Sequence, residues 1–165
     1  GDIFGVAMFS LMLGLGRTLY GKFGKNIGRV LFLGGVGATL CYLIAAVVNI
    51  PAVGLIACAF TGFCTSMLWP GNLVVASDRF PAGGVFIYAL MAAGGDLGAS
   101  VGPQLVGVVT DLTISMPAAA ELALQWGLAP EQLGMKLGML IGMLFPLVGT
   151  FLYWRLWKGK KNYSD

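Results

Sequence analysis

The fold of this chain is decided by residues 30–77, whose sequence is VLFLGGVGATLCYLIAAVVNIPAVGLIACAFTGFCTSMLWPGNLVVAS. This stretch contains no Asp, Glu, Lys or Arg, and residues 80–95 form a second stretch without them. A bilayer core is about 30 Å thick and needs about 20 apolar residues per helical span. Residues 30–77 therefore predict two membrane spans with a turn at Asn49, Ile50 and Pro51. Because both stretches are continuously apolar rather than alternating, they predict helices.

The composition of the whole chain predicts an all-α membrane protein. Of its 165 residues, 58% are hydrophobic and 10% are charged, whereas soluble domains have about 25% charged residues. We predict a bundle of five transmembrane helices at residues 3–20, 30–50, 52–77, 84–109 and 136–157. Residues 110–135 would form an outer helical loop, with a short interfacial helix after Pro117, and residues 158–165 a cytoplasmic tail. The first span starts without an initiator Met or a signal-peptide pattern, so we expect this chain to be part of a longer protein.

The basic residues predict how the spans are oriented, because cytoplasmic loops are enriched in Lys and Arg. With five spans, all ten basic residues except Lys136 fall on one side of the membrane. They are Arg17, Lys22, Lys25, Arg29, Arg79, Arg155, Lys158, Lys160 and Lys161. The acidic residues Asp2, Asp111, Glu121 and Glu131 fall on the other side. We therefore expect a multi-pass protein of the cell membrane whose C-terminus is cytoplasmic.

The side chains available for chemistry argue against several functions. The chain has three cysteines, all in apolar spans, and no His, so neither a disulfide framework nor a metal site is expected. Near-matches to a P-loop and to a dinucleotide-binding glycine pattern lack required residues. The run Gly94, Gly95, Asp96 is similar to that of intramembrane aspartyl proteases, but their chemistry needs two carboxylates. We expect no enzyme activity, no cofactor and no nucleic-acid partner.

Small residues predict that the helices pack closely, since lipid provides no hydrophobic drive for their association. Sets at four-residue spacing are Gly54, Cys58, Gly62; Gly94, Gly98, Gly102; and Gly134, Gly138, Gly142. Polar side chains are concentrated in the third and fourth spans, whereas residues 137–152 of the fifth offer only Thr150. Polar stripes in lipid face a bundle interior or a watery cavity. We therefore predict that the third and fourth spans are central and that the second and fifth are peripheral.

Asp96 is the first candidate for a functional residue. At about 1.5 Å per residue it lies roughly 21 Å from Ala82, near the middle of the bilayer, where a charge costs at least about 2.5–3.5 kcal/mol. Two interpretations remain open: Asp96 takes up and releases a proton, or it bonds to a facing helix and fixes the packing. The other candidates, which would line a path through the bundle, are Thr65, Trp69, Asn72, Tyr88 and Gln104.

Two prolines predict helix kinks, Pro70 in the third span and Pro103 in the fourth. Proline removes a backbone hydrogen bond and so frees a carbonyl inside the helix. Such a kink either serves function, as a hinge or a polar site, or is purely structural.

Four sequence segments occur together in a fixed order. The combination is a specific sign of family membership, although any one segment alone would be a weak sign. They are GRTLYGKFGK at residues 16–25, SMLWPG at 66–71, ASDRFPAGG at 76–84 and GGDLGASVGP at 94–103. Together they resemble the major facilitator superfamily, in its bacterial fucose-permease-like members, from the eighth to the twelfth helix of the twelve-helix fold. The first segment resembles the basic cytoplasmic loop after the eighth helix. The next two resemble the tenth helix with its following loop, and the last resembles the eleventh helix.

The resemblance implies a function and a set of partners. It implies secondary transport of a small organic solute, such as a sugar, by alternating access between two six-helix halves, with the substrate near the midplane. The implied partners are that solute, a coupling proton if the protein is a symporter, the lipid bilayer of the bacterial inner membrane, and a missing N-terminal half. Asp96 would then be a coupling or substrate residue. The alternatives are a non-transporting receptor or scaffold on the same fold and, third, a membrane enzyme.

The loop segment departs from the family pattern at one position. The motif residues are Arg17, Gly21, Lys22, Gly24 and Lys25. Gly21 stands where the family usually has an acid, so a charge-relay role for this loop is not expected. Its cations would instead bind lipid headgroups or clamp an inner gate.

Overall fold

The structure, a computed structural model, describes residues 2–161, and the side chains of residues 3–158. Within that part of the chain all regular secondary structure is helical. The helices are α1 Asp2–Phe23, α2 Ile27–Val47, α3 Pro51–Thr65, α4 Leu68–Arg79, α5 Gly84–Ser115, α6 Pro117–Gln125, α7 Pro130–Gly142 and α8 Leu144–Lys161. The end of the predicted tail, residues 162–165, lies outside the described residues, as do the side chains of Asp2, Lys160 and Lys161.

Five helical stretches in the described chain are long and apolar enough to cross a membrane. They are Ile3–Phe23, Ile27–Val47, Pro51–Arg79, Gly84–Ser115 and Pro130–Lys158. The predicted all-α fold with five apolar spans is therefore confirmed in number and kind. Local signals explain where several helices begin. Asn26 caps α2 by accepting a hydrogen bond from the Arg29 amide at 3.1 Å, and prolines occupy the first position of α3, α6 and α7, where their missing amide costs nothing.

The helices extend further than the predicted spans. α5 has 32 residues and continues to Ser115, so it is about 48 Å long and exceeds the thickness of a bilayer core. α7 begins at Pro130, six residues before the predicted start of the fifth span. Most of residues 110–135 is consequently helical. The physical reason is that a helix ends where a proline or a cap stops it, as at Pro117, and not where the lipid ends.

Two of the five spans are interrupted, each just before a proline. α3 and α4 are separated before Pro70, and α7 and α8 are separated before Pro146. A proline lacks the amide that would bond to the carbonyl four residues earlier, and its ring crowds that carbonyl. The interruption at Pro70 agrees with the predicted kink, whereas the one at Pro146 is not predicted. Pro103 lies inside the continuous helix α5, and no interruption accompanies it.

Helix α2 occupies the centre of the described bundle and packs against α3, α4, α7 and α8. Its side chains Leu31 and Ala38 are 1% and 0% exposed. Glycines allow the close approach, since a Cβ added to Gly35 would lie only 2.6 Å from Thr150 Oγ1 on α8. The prediction of a peripheral second span is therefore wrong for the described helices. The fifth span, which contacts α2 through both of its helices, is likewise not peripheral.

Helix α5, the fourth span, is the most exposed of the five. Thr113 is its one buried residue, and its contacts are with α4, α6 and α7. The prediction of a central fourth span is therefore wrong within this set of helices. A polar stripe shows that a helix needs polar surroundings, but it does not show that the other described helices provide them.

The parts of α1, α2, α4 and α8 that carry basic residues meet at one end of the bundle, which we call the basic end. Ile27 and Leu31 of α2 and Met67 before α4 form a buried cluster there. Tyr20 of α1, Val75 of α4 and Tyr153 of α8 pack against that cluster. Basic residues follow within four positions of Tyr20, Ile27, Val75 and Tyr153, so this packing brings the basic residues of α1, α2, α4 and α8 together.

Lys136, the one basic residue expected on the opposite side, has a structural role. Its Nζ donates hydrogen bonds to the carbonyls of Ala46 at 3.0 Å and Val48 at 2.9 Å. These carbonyls lie at the C-terminal end of α2, where helical carbonyls lack amide partners and a cation is favourable. Lys136 therefore caps α2 and joins it to α7.

Candidate functional site

The break in the third span is bridged by Arg17 of α1. Pro70 has no amide hydrogen, so the carbonyl of Ser66, four residues earlier, lacks its helical partner. The Nε of Arg17 donates a hydrogen bond to this carbonyl at 3.1 Å, and Ser66 is only 4% exposed. Gly16 lets the two helices approach, because a Cβ added there would lie 2.8 Å from the Ser66 Cβ. Arg17 thus replaces the hydrogen bond that Pro70 removes.

The segment that resembles a cytoplasmic loop is mostly helical. Of its motif residues, Arg17, Gly21 and Lys22 lie in α1, and Gly24 and Lys25 lie in the short turn of residues 24–26. The predicted loop is therefore much shorter than expected. Arg17 is engaged at the Ser66 carbonyl, whereas Lys22 and Lys25 are exposed at the basic end.

Trp69 lies at the contact between α4 and α5. A Cβ added to Gly95 of α5 would lie 2.5 Å from Cζ3 of the Trp69 ring, so the indole sits directly on the backbone of α5. The ring is 40% exposed. Since Asp96 follows Gly95, the structure brings Trp69 to the helical turn that carries the candidate acid.

Asp96, Ser100 and Gln104 lie on a surface of α5 that we call the open face. The packed side of α5 is marked by Gly95 against Trp69 and by Val106, whose Cγ1 would be 2.8 Å from a Cβ on Gly138 of α7. At about 100° per residue, the three polar residues point about 100°, 140° and 180° away from Gly95. All three are exposed, and the Ser100 hydroxyl donates to the Asp96 carbonyl of the same helix at 2.9 Å. The open face is a polar stripe turned away from the other described helices.

Tyr88 lies apart from that stripe, at a small cavity between α4 and α5. The cavity has a volume of about 130 Å³ and lies near the basic end. Its lining residues include Leu73, Ser77, Phe80, Pro81 and Tyr88. The candidates on the fourth span are therefore divided, because Tyr88 lies at this cavity whereas Asp96 and Gln104 lie on the open face.

Asn72 and Thr65 are engaged inside the described bundle. The amide of Asn72 donates to the hydroxyl of Tyr153 on α8 at 2.8 Å. The Thr65 hydroxyl donates to the Thr61 carbonyl of its own helix at 2.8 Å. Neither is grouped with Asp96, so the six predicted path residues do not form one site within this chain. Sequence reasoning missed Tyr153 because it lies just past residues 137–152, the apolar centre of the fifth span.

We predict that Asn72→Leu and Tyr153→Phe each lower the free energy of unfolding by about 0.5–1.5 kcal/mol. The reason is that one hydrogen bond between membrane helices contributes about 0.6 kcal/mol on average and at most about 1.7 kcal/mol. The double variant should lose little more than either single variant, because both remove the same bond. Reversible unfolding in mixed detergent micelles measures these values, with Tyr88→Phe as the exposed-tyrosine control. Fully additive losses would contradict a direct Asn72–Tyr153 bond.

The described residues offer no group of three His, Cys, Asp or Glu side chains placed to hold a metal ion. Comparison of the chain with protein-family models, with characterised proteins and with solved structures finds no match.

Proposed function

We propose that this chain is the C-terminal part of a secondary transporter of the major facilitator type, covering its eighth to twelfth helices. It would move a small organic solute, with sugars as the first class to test, by alternating access in the cell membrane. Five apolar helices and basic ends gathered on one side support this proposal. In this orientation the basic end and the C-terminal tail face the cytoplasm.

The open face of α5 is the observation that carries the proposal. An acid at membrane depth costs at least about 2.5–3.5 kcal/mol unless it meets water or a polar partner. Asp96, Ser100 and Gln104 are exposed on the side of α5 that the described helices leave uncovered. A second half of the protein, facing α5 across a watery cavity, would supply those polar surroundings. We propose Asp96 as the coupling or substrate-binding group, with Gln104 and Trp69 beside it along the path.

Asn72 and Thr65 are less suited to bind the solute than the other candidates. Asn72 already donates one hydrogen bond to Tyr153, and Thr65 already donates its one hydroxyl proton to Thr61. Without breaking these bonds, Asn72 could offer a solute only its second N–H and its carbonyl oxygen, and Thr65 only its acceptor lone pairs. Tyr88 would lie nearer the inner mouth of the path, because its cavity is close to the basic end.

Asp96→Asn in the full-length protein is expected to abolish proton-coupled uptake while the protein still folds, because Asn has nearly the same shape but cannot exchange a proton. The measurement is uptake of a panel of radiolabelled sugars into proteoliposomes, with a pH-sensitive dye inside to record proton entry. Asp111→Asn is the matched control, since Asp111 is an exposed acid near the end of the same helix, and it should leave uptake unchanged.

Two results would count against the proposal. Unchanged coupled uptake by Asp96→Asn would remove Asp96 from the mechanism. Saturable binding of a panel sugar without any uptake would instead favour the alternative function, a non-transporting receptor or scaffold on the same fold.

A further inference from the structure

Six exposed cationic side chains surround the basic end of the bundle, and we call this set the basic collar. Its members are Lys22, Lys25, Arg29, Arg79, Arg155 and Lys158. They come from α1, the turn after it, α2, α4 and α8, that is, from three separate parts of the sequence. Lys25 and Arg29 lie two residues from Ile27 of the buried cluster, and Lys158 follows Trp157. Lys22, Arg79 and Arg155 lie within four residues of Tyr20, Val75 and Tyr153, which pack against that cluster.

The contact between α2 and α8 brings together two parts of the collar, Arg29 on α2 and Arg155 and Lys158 on α8. The rings of Phe32 and Trp157 stack with centroids 5.6 Å apart, and a Cβ on Gly28 would lie 3.7 Å from the Trp157 Cα. Arg29 follows Gly28 and Lys158 follows Trp157, so cations from the two helices lie at the same level. The sequence alone separates these residues by more than a hundred positions.

Aromatic rings lie beneath three of the cations. The Lys22 Nζ is 5.4 Å from the centroid of the Phe23 ring. The Lys158 Nζ is 4.3 Å from the centroid of the Trp154 ring, and the Arg155 guanidinium carbon is 5.1 Å from that of Phe151. Of these rings, that of Trp154 is of the kind that prefers the boundary between lipid and water, and long basic side chains extend from there toward the headgroups. We therefore expect the collar to lie near the level of the lipid phosphates.

Charge is distributed unequally between the two ends of the described bundle. Asp78 is the acid at the basic end whose side chain the structure describes, whereas Asp111, Glu121 and Glu131 are exposed toward the opposite end. A ligand for the collar should therefore be anionic, and a ligand for the other end should not.

We propose that the basic collar binds the headgroups of anionic phospholipids in the adjoining leaflet. Cations close to an anionic membrane surface favour binding by about fivefold each, and the effect falls off within a Debye length. The lipid tails would lie along the apolar flanks of α2 and α8, next to Phe32 and Trp157. This inference rests on membrane insertion and does not depend on what the protein transports.

The test is native mass spectrometry of the full-length protein in detergent with equal amounts of phosphatidylglycerol and phosphatidylcholine. We expect about a tenfold or greater preference for bound phosphatidylglycerol. Changing all six collar residues to Gln should lower that preference at least about fivefold. Exchanging every collar Lys for Arg and every Arg for Lys should keep it, because the charge is preserved.

Two further measurements need no variant. Raising the ammonium acetate concentration from about 0.1 M to about 1 M shortens the Debye length from about 10 Å to about 3 Å, so the preference should fall steeply. Inorganic phosphate at the concentration of the lipid should not displace phosphatidylglycerol. Equal binding of the two lipids, a preference that the Gln variant retains, or displacement by phosphate ions would each overturn the proposal.

Discussion

Gly62→Ala is expected to lower the free energy of unfolding by about 1–3 kcal/mol, although alanine is the better helix former. Gly62 is buried where α3 crosses α1, and an added Cβ would lie 3.0 Å from the carbonyl carbon of Phe9 and 3.1 Å from its Cα, with the carbonyl oxygen closer still. These are backbone atoms, so no side-chain rotation can relieve the collision. The two helices would have to separate and would lose the contacts that replace a hydrophobic drive in lipid.

Gly54→Ala in the same helix is the matched control for this prediction. A Cβ at Gly54 would meet nothing within 4 Å. The substitution should therefore leave stability unchanged or raise it by up to about 1 kcal/mol through helix propensity. Reversible unfolding in mixed detergent micelles, followed by circular dichroism, measures both variants. Equal effects of the two substitutions would show that α1 and α3 are not in close contact at Gly62.

The number and kind of the spans could be predicted from the sequence, because a continuously apolar stretch of about twenty residues without charge matches the thickness of a bilayer core. Residues 30–77 show the strength of that signal: they contain no charge, and the structure divides them between α2 and the α3–α4 pair. Successive spans cross the membrane in opposite directions, so the number of spans also predicts that Arg29 and Arg155 lie at the same end of the bundle.

Helix ends and breaks could be predicted less well, because they depend on single residues. Pro146 interrupts the fifth span as Pro70 interrupts the third, but it stands in an ordinary apolar run without polar neighbours that would mark it. The sequence predicts the start of the fifth span at Lys136, since a charge usually marks the edge of a span. The structure instead places Lys136 inside α7, where the carbonyls of Ala46 and Val48 satisfy it.

The arrangement of the helices and of the candidate residues could not be predicted, because polarity identifies a face but not its neighbour. Asn72 and Asp96 both belong to polar stripes. Asn72 faces Tyr153 within the bundle, whereas Asp96 lies on the open face of α5. For α5 the contacts of its glycines show which side is packed, since Gly95 touches Trp69 while Gly98 has nothing within 4 Å.

Arg17→Met is expected to lower the free energy of unfolding by about 1–3 kcal/mol, because it leaves the buried Ser66 carbonyl without a donor. Methionine keeps much of the apolar length of the side chain, so the loss reports mainly on the hydrogen bond. Lys22→Met is the control on the same helix, because Lys22 is exposed and lies in the basic collar. It should change stability by less than about 0.5 kcal/mol.

A double-mutant cycle with Pro70→Ala tests the cause of that loss. Alanine at position 70 restores a backbone amide four residues after Ser66, and this amide can bond to the carbonyl that Arg17 now satisfies. In the Pro70→Ala background Arg17→Met should therefore cost at least about 1 kcal/mol less than in the original chain. An unchanged cost would show that Arg17 stabilises the bundle in some other way. The expected coupling would identify Pro70 and Arg17 as one unit, in which a cation from α1 holds open the break between α3 and α4.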